Sequence, residues 1–265
     1  MSADPGTERK AGGFEAGSVR RHFAILNHDL AWLDNAATTQ RPESVLKAMD
    51  QFYRQRNANT RRSVHRLGAA ATEAYEGARA ATAKFIGAAS PEEIVFTSGT
   101  TAGINQAVAG FARWEIGPGD EVWVSAMEHH SNWVPWQQAV RGMGASLKVI
   151  PLTPEGRLDL AAFRKGLAAR RVKWVAVAWV SNVLGVANDV RAICDAAHAA
   201  GAWVLVDGAQ GVAHLPVDVA ALGCDFFAFS GHKMYGPMGI GALWGRRELL
   251  EQMQPSIFGG EMIAR

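Results

Sequence analysis

Lys233 is the residue of this sequence best suited to covalent chemistry. It follows an apolar run, residues 226–229, that reads as a buried strand, and it lies in a polar, glycine-punctuated turn. An amine taken out of water has a lowered pKa and can form a Schiff base with a carbonyl compound such as pyridoxal phosphate (PLP). Ser230 and His232 flank the lysine and can hold a phosphate. The alternative is a solvated loop lysine without chemistry.

A carboxylate at the end of the preceding predicted strand supports a chemical role for the lysine. Residues 203–210 read WVLVDGAQ, a run of four apolar residues that ends on Asp207. Open α/β sheets bind ligands at the carboxyl ends of their strands, and PLP enzymes pair a carboxylate with the protonated pyridine nitrogen. A strand-end turn or a helix cap would also explain Asp207 alone. A strand that ends on an acid, followed by one that leads to a lysine, is far more specific.

These two segments, VDGAQ and FSGHKMYGPMGIG, resemble the class V aminotransferase family of PLP enzymes, which have fold type I. Within the family they are most similar to the cysteine desulfurases and selenocysteine lyases. The resemblance implies that Lys233 carries PLP, that Asp207 holds the pyridine nitrogen, and that Gln210 lies against the phenolic oxygen of the cofactor.

A hydroxyl-rich turn provides a candidate phosphate site. Residues 94–97 read as a strand, and the sequence SGTTAGIN that follows opens a helical pattern. Free backbone N–H groups and the helix dipole favour an anion at such a point, and Thr100 and Thr101 add donors. Ordinary helix capping by Thr100 is the alternative. The turn resembles the SGTT motif of the family, which implies a phosphate-binding role.

Two adjacent histidines, His129 and His130, follow the strand pattern EVWVS. Neighbouring residues on a turn point apart, and no third ligand pattern accompanies them, so the sequence predicts no metal site. The segment resembles the family's MEHHxN motif. This implies that His129 stacks on the pyridine ring and can move protons, whereas His130 has a supporting role.

Three further candidates rest mainly on resemblance. The segment LDNAATTQRP is similar to the family's LD-x-AA segment, which implies that Asn35 and Ala36 approach the substrate carboxylate. From spacing alone, the start of a capped helix is equally compatible. Asn182 follows an apolar strand pattern and resembles the asparagine of the family's SNxxG motif, which contacts the cofactor oxygen or the substrate. A plain turn is the alternative there.

One loop departs from the family pattern. Residues 57–68 are basic and irregular, and in the family a similar stretch reads N-x-HRG-x-H near the active-site mouth and the partner subunit. Here Arg61 stands at the first histidine and Ser63 at the glycine. The substrate of this chain therefore does not follow from the loop, and composition alone favours solvated arginines.

Composition excludes several classes of protein. With 265 residues, of which 48% are hydrophobic, the chain can bury a large core, and its net charge of +2 favours neither nucleic acid nor membrane as a partner. No apolar stretch approaches the roughly 20 residues of a membrane span. Two cysteines, Cys194 and Cys224, predict packing rather than a disulfide framework and suit a cytoplasmic protein.

Strand and helix patterns alternate along the chain, which predicts an α/β three-layer sandwich with a mostly parallel central sheet. We expect a disordered tail at residues 1–17, a PLP-binding large domain at 18–258, and the start of a linker to an absent small domain at 259–265. Trp32 and Leu33 read as a short strand, which would place every site candidate beyond a strand end. The patterns predict strands at 94–97, 120–125, 147–152, 174–180, 203–207 and 226–229, and helices at 42–56, 69–86, 157–169, 190–200 and 247–253.

The resemblance implies conversion of L-cysteine to L-alanine, with the sulfur left as a persulfide on an enzyme thiolate. Lys233 and His129 would move protons at the substrate. Neither Cys194 nor Cys224 matches the position of the nucleophile, which the family carries in its small domain, so we expect PLP binding without completed sulfur release.

The implied partners are an amino-acid substrate, cysteine or selenocysteine, a second copy in a homodimer, and a sulfur acceptor in iron–sulfur cluster assembly. A selenocysteine lyase, an aminotransferase, an epimerase and a non-catalytic remnant of the fold are the alternatives.

Overall fold

A computed structural model describes residues 15–27, 29–61, 64–168, 171–259 and 262. Its strands are β1 (Ile94–Thr97), β2 (Glu121–Ser125), β3 (Ser146–Ile150), β4 (Val172–Ala178), β5 (Trp203–Asp207), β6 (Phe226–Ser230) and β7 (Gly241–Gly245). Its helices are α1 (Ala16–Arg20), α2 (Glu43–Gln55), α3 (Arg66–Ile86), α4 (Thr100–Ala107), α5 (Arg113–Glu115), α6 (Val134–Val140), α7 (Leu160–Leu167), α8 (Val190–Ala199), α9 (Gly211–His214), α10 (Val219–Leu222) and α11 (Arg247–Leu250).

The strands form one sheet in the order β1-β7-β6-β5-β4-β2-β3. The pairs within β3-β2-β4-β5-β6 are parallel, and β7 is antiparallel to both β6 and β1. Because β7 is antiparallel to both of its neighbours, β1 runs in the same direction as β6 and the other four parallel strands. Six strands therefore end at the same edge of the sheet, where ligands bind in open α/β folds.

Both faces of the sheet are covered, which explains why its strands read as continuous apolar runs. Successive residues of β5 point to opposite faces, so Val204 and Val206 join one core cluster and Leu205 joins the other. Residues of α3, α7, α8 and α10 complete the first cluster, and residues of α4, α6 and α11 complete the second. The predicted three-layer sandwich with a mostly parallel sheet is thereby confirmed.

The six strands predicted between residues 94 and 229 and the longer helices are present, most of them with shifted ends. The helix predicted at 157–169 begins at Leu160, because Asp159 caps it by accepting from the N–H of Ala162 at 2.8 Å and because Leu152 and Leu158 form an antiparallel bridge just before it. Residue 169 lies outside the described part of the chain. The amphipathic helix predicted at 42–56 appears as α2, but none of its residues is buried.

Two predictions near the N-terminus fare differently. The strand predicted at Trp32 and Leu33 is wrong: the segment is irregular, and Leu33 is 92% exposed, because two apolar residues alone do not require burial in a sheet. As a result, Asn35 and Ala36 do not follow a strand. The segment predicted as a disordered tail reaches residue 17, whereas α1 begins at Ala16; residues 1–14 lie outside the described part.

Candidate active site

Lys233 and Asp207 are brought together by two neighbouring parallel strands. Asp207 is the last residue of β5 and is in register with Ala228 of β6. β6 ends at Ser230, and a single 3₁₀ turn over Gly231–Lys233 leaves the lysine at the same edge of the sheet. The two side chains interact electrostatically, and each shifts the pKa of the other. The acid and the amine therefore belong to one cluster.

The amine and the acid are both perturbed by burial. Burial lowers the pKa of Lys233, and the charge of Asp207 opposes that shift. Burial raises the pKa of Asp207, and the N–H of Ala209 together with the positive charges of Lys233 and His129 opposes it. A half-buried amine of this kind is closer to its neutral, nucleophilic form than a surface lysine.

The turn after β1 carries the hydroxyls predicted to bind phosphate. Gly99 has a φ of +148°, a conformation that favours glycine, and a Cβ there would lie 3.2 Å from Ser230 Oγ. The N–H of Thr100 donates to Ser230 Oγ at 2.8 Å, and the Thr100 hydroxyl lies 2.7 Å from the same oxygen. Thr100 does not cap α4, because Gly99 is the N-cap and no side chain caps it. The first turn of α4 and the Ser230 hydroxyl thus form an anion-binding type of site.

His129 is linked to the start of α4 through hydroxyl groups. The N–H of Ser131 donates to His129 Nδ1 at 3.1 Å, and Ser131 Oγ lies 2.7 Å from that nitrogen and 2.8 Å from Thr101 Oγ1. Because Nδ1 accepts a backbone hydrogen bond, the neutral ring carries its proton on Nε2. Burial and the positive charge of Lys233 lower the pKa of His129. The imidazole is therefore suited to proton transfer at Nε2.

A cavity of about 560 Å³ opens beside this histidine, on the side of α4 and α6. Thr101, Ser131 and Arg113 are among its lining residues. Lys233 and Asp207 do not line it, so the cavity adjoins the cluster but is not the place where the acid and the amine meet.

Glu128, one residue before the imidazole, is a site residue that the sequence analysis missed. Its carboxylate accepts hydrogen bonds from Ala178 N and Asn132 Nδ2, each at 2.7 Å, and it bonds to the Ser125 hydroxyl. Although the residue as a whole is only half-buried, its carboxyl group is enclosed, and burial raises its pKa to about 8 against the effect of these donors. The group ties the histidine turn to the end of β4.

The remaining candidates lie further out. Gln210 is buried, and its Nε2 donates to the carbonyl oxygen of Ala36 at 2.7 Å, which brings the N-terminal segment to the rim of the sheet. Asn35 lies in the same exposed turn as Ala36. Asn182 is exposed in the turn after β4, and within the described ranges no hydrogen bond joins it to the other candidates. Its role, like that of Asn35, stays a prediction.

A second group that sequence reasoning missed holds the lysine turn from outside. Thr38 and Thr39 bond to the carbonyl oxygen of His232, and Arg41 Nε donates to the carbonyl oxygen of Gly236 at 3.0 Å. These contacts join residues about 195 positions apart in the sequence. No local signal marks them, because two threonines after a turn are ordinary in a loop.

Cys194 and Cys224 are free and buried. Burial raises the pKa of Cys194 to about 12, and burial raises that of Cys224 well above 9.

In the described part of the chain, no group of three His, Cys, Asp or Glu side chains is placed to hold a metal ion. Among the same residues, no helix has the length and apolar character needed to cross a bilayer.

The donor set fits PLP. An aldehyde needs an amine with a lowered pKa, a pyridine nitrogen needs a carboxylate, and a phosphate needs backbone N–H groups and hydroxyls, and Lys233, Asp207 and the α4 turn offer these. One oxygen of Asp207 accepts from Ala209 N at 2.9 Å. Within the described residues its other oxygen has no recorded hydrogen bond, which leaves that oxygen available to a ligand.

The sheet and this rim define the class of protein: a mostly parallel seven-stranded sheet with an acid and a lysine at neighbouring strand ends is the architecture of fold type I PLP-dependent enzymes. Residues 31–265 match the family described as Aminotransferase class-V. Since the match covers most of its length, the chain belongs to that family, and the resemblance inferred from the motifs is confirmed.

Similar proteins are cysteine desulfurases. A probable cysteine desulfurase of Halalkalibacterium halodurans is 48% identical over 94% of this chain and 62% of its own length. A cysteine desulfurase of Klebsiella pneumoniae is 49% identical over 95% of this chain and 63% of its own length. This chain therefore spans about 62% of the length of these relatives.

Solved structures agree. The cysteine desulfurase CsdA of Escherichia coli superposes with a TM-score of 0.87 at 41% identity, over 95% of this chain and 63% of that one. A cysteine desulfurase of Thermococcus onnurineus superposes with a TM-score of 0.89 at 39% identity, over 94% of this chain and 62% of that one.

Proposed function

We propose that this chain binds PLP through Lys233 and provides the cofactor-binding part of a cysteine desulfurase, which converts L-cysteine to L-alanine and passes the sulfur on. The main support is the position of Lys233. Its amine is half-buried and interacts electrostatically with Asp207, and the two residues follow the ends of the neighbouring strands β6 and β5. The identity of about 48% to named cysteine desulfurases supports the choice of substrate.

Each side chain of the cluster has a role in the proposal. Bound PLP supplies an electron sink for the substrate's α-carbon. Asp207 holds the pyridine nitrogen in its protonated form, while Lys233 attaches the cofactor and then moves protons at the substrate. His129 covers one face of the ring and exchanges a proton at Nε2.

The other candidates bind and orient. The N–H and hydroxyl of Thr100, together with Thr101, Ser230 and His232, hold the phosphate. Gln210 faces the phenolic oxygen, and Asn182, with the backbone at Asn35 and Ala36, meets the substrate. These assignments follow the motifs of the family.

The sulfur-accepting thiolate is not supplied by these 265 residues. A nucleophilic cysteine needs solvent access and a lowered pKa. Cys194 and Cys224 are buried, and burial raises the pKa of both thiols. We assign the thiolate to protein outside this sequence, in agreement with the share of the relatives that the chain spans.

We propose that the complete enzyme is a cytoplasmic homodimer and that it delivers sulfur to an acceptor protein for iron–sulfur cluster assembly. The free state of both cysteines agrees with a reducing compartment.

The test is cofactor attachment. The chain is mixed with PLP, its visible absorption is recorded, and borohydride is added so that mass spectrometry can locate a stable adduct. We expect one adduct, on Lys233. Lys233→Ala should abolish it, whereas Lys84→Ala, which removes an exposed lysine in α3, should leave it unchanged. Absence of the adduct from the unmodified chain would refute PLP binding.

A second measurement tests the assignment of the thiolate. L-Cysteine is added to the PLP-loaded chain, and alanine is quantified. We expect little alanine compared with full-length cysteine desulfurases. Alanine formed at the rate of those enzymes would contradict the conclusion that neither Cys194 nor Cys224 acts.

A further inference from the structure

The turn that carries Lys233 is held by a segment far away in the sequence. We call residues 38–41, TTQR, the latch segment. It lies in the irregular stretch before α2, outside the sheet, and contacts the turn at three points: His232, Tyr235 and Gly236. The turn is thus fixed on both sides of the lysine by residues that belong to no regular element.

Thr39 makes the central contacts. Its hydroxyl donates to the carbonyl oxygen of His232 at 2.8 Å and accepts from the N–H of Tyr235 at 2.8 Å. Its own N–H donates to the same carbonyl at 2.9 Å. Thr39 is 4% exposed, so water does not replace these bonds easily. One hydroxyl therefore bridges the backbone immediately before Lys233 to the backbone two residues after it.

The neighbouring contacts indicate that the turn needs this support. Tyr235 has a φ of +69°, a left-handed conformation that a non-glycine residue adopts only when its surroundings impose it. Thr39 binds its N–H, and Phe23 packs against its ring at 5.9 Å between centroids. Arg41 binds the carbonyl oxygen of Gly236, the residue that follows. The strained backbone at Tyr235 is thus held by contacts to its own N–H and ring and to the residue after it.

We propose that Thr39 is a positioning residue for Lys233: its hydroxyl fixes the turn that keeps the lysine amine half-buried beside Asp207. The use of that amine for PLP rests on the function proposed above, but the holding of the turn does not. Thr39 touches neither the amine nor the acid, so it acts only through the backbone of His232 and Tyr235.

The consequence can be measured on the lysine itself. Burial is the main cause of its lowered pKa, and Asp207 opposes the shift. Among the described residues, the other charged or titratable groups that interact with the cluster or its turn are Glu128 and His129 after β2, His232 in the turn and Arg41 in the latch segment. A turn that loosens admits water to the amine, so its pKa should rise towards the ordinary value and its reactivity near neutral pH should fall.

The experiment compares Thr39→Val, which keeps the shape of the side chain and removes the hydroxyl, with Thr39→Ser, which keeps the hydroxyl. Thr82→Val is the matched control, because the Thr82 hydroxyl only bonds back to Ala78 within α3. All are studied without PLP. Trace acetylation at a series of pH values, with mass spectrometry of the Lys233 peptide, gives the reactivity of the amine. Hydrogen exchange reports the amide of Tyr235.

Thr39→Val should reduce acetylation of Lys233 near neutral pH, and it should speed exchange at Tyr235 about tenfold, the usual scale for one lost buried hydrogen bond. Thr39→Ser should restore both, and Thr82→Val should change neither. A thermal scan verifies that each variant is folded. A folded Thr39→Val protein with the wild-type profile of Lys233 would overturn the proposal, even if the variant were less stable.

The two proposals fail separately. If the unmodified chain does not take up PLP, the proposed function is lost, yet the acetylation and exchange data still decide whether Thr39 positions the lysine. If PLP attaches normally and Thr39→Val changes nothing at Lys233, the positioning role is lost and the proposed function stands.

Discussion

Two buried aspartates at opposite ends of the same pair of strands show how this fold separates structure from chemistry. Asp207 ends β5, whereas Asp225 directly precedes β6, and they are 5% and 1% exposed. Asp225 accepts from Val204 N at 2.7 Å and from His198 Nε2 at 2.8 Å, and its Oδ1 forms an ion pair with Arg246 Nε at 3.0 Å.

Asp207 is far less completely paired. In the described part of the chain it accepts one hydrogen bond, from Ala209 N, and Lys233 and the protonated form of His129 act on it electrostatically. Each acid has one oxygen without a hydrogen bond in the described residues, but Oδ1 of Asp225 is paired with Arg246, whereas the second oxygen of Asp207 lies at the carboxyl ends of the strands, where ligands bind. An acid held in an ion pair stabilises the fold, and an acid without one is left for a ligand. Asp225 and Arg246 affect the pKa of both Cys194 and Cys224. The two cysteines therefore lie near Asp225, at the edge of the sheet opposite to Asp207.

The largest expected effect concerns those thiols. Burial raises the pKa of Cys194 to about 12, so at pH 8 its thiolate fraction is about a thousandfold below that of a thiol at the ordinary value of 9.0. We expect iodoacetamide to modify neither Cys194 nor Cys224 at pH 8 in the folded chain and to modify both in denaturant, as read by mass spectrometry. Rapid modification of either thiol in the native protein would show that this thiol is accessible and reactive, and so could take part in chemistry.

Asp225→Asn should destabilise the protein by about 2 to 3 kcal/mol, measured by urea unfolding. Removing one member of a buried ion pair leaves the other charges uncompensated, and the effect stays below that of a fully buried pair because Arg246 and His198 are partly exposed. PLP affinity of the folded variant should equal that of the wild type. A loss of affinity without a loss of stability would reverse the roles assigned to the two aspartates.

Asp207→Asn should do the opposite. The free energy of unfolding should stay the same or rise, since the variant no longer buries an incompletely paired carboxylate. PLP should bind about 10- to 100-fold more weakly, because a hydrogen bond to a charged group contributes about 1.5 to 3 kcal/mol. Titration with PLP, followed by absorption, gives the affinity. A strongly destabilised variant would show that Asp207 is as structural as Asp225.

The same comparison separates what the sequence predicts from what it does not. β5 and β6 are continuous apolar runs, and Asp207 and Lys233 follow directly from where those runs end. Contacts between remote segments leave no such pattern. Thr39 reaches a turn 193 residues away, and Glu128 accepts from the backbone of β4 fifty residues further on.

Burial is the other missing quantity. Trp32 and Leu33 have the residue types of a strand, but the chain packs nothing over Leu33, and so no strand forms. The partners of Asp225 leave no pattern because they are remote, as those of Thr39 are: His198, Val204 and Arg246 come from three separate segments, and only the folded sheet brings them to one carboxylate.

Glu128 offers the most specific test, because it is a second enclosed acid on the functional side and its effect appears as a change with pH. Burial raises its pKa from 4.5 to about 8, and the charge of Asp207 adds to the shift. Between those two pH values the folded state binds a proton that the unfolded state has released. Stability from this group is therefore fully present below pH 4.5, falls as the pH rises, and is lost above about pH 8.

Glu128→Gln replaces the carboxyl group with an amide that does not titrate, so this difference in bound protons between the folded and unfolded states disappears. Relative to the wild type, the variant should gain stability steadily between about pH 5 and pH 8 and should show a constant difference above that range, as measured by urea unfolding at each pH. The difference between the two proteins reports Glu128 together with its electrostatic coupling to Asp207. Glu73→Gln, at an exposed glutamate in α3, controls for the loss of one negative charge. Parallel pH profiles for the wild type and Glu128→Gln would mean that the carboxyl group is ionised in the fold and that its three hydrogen-bond donors outweigh its burial.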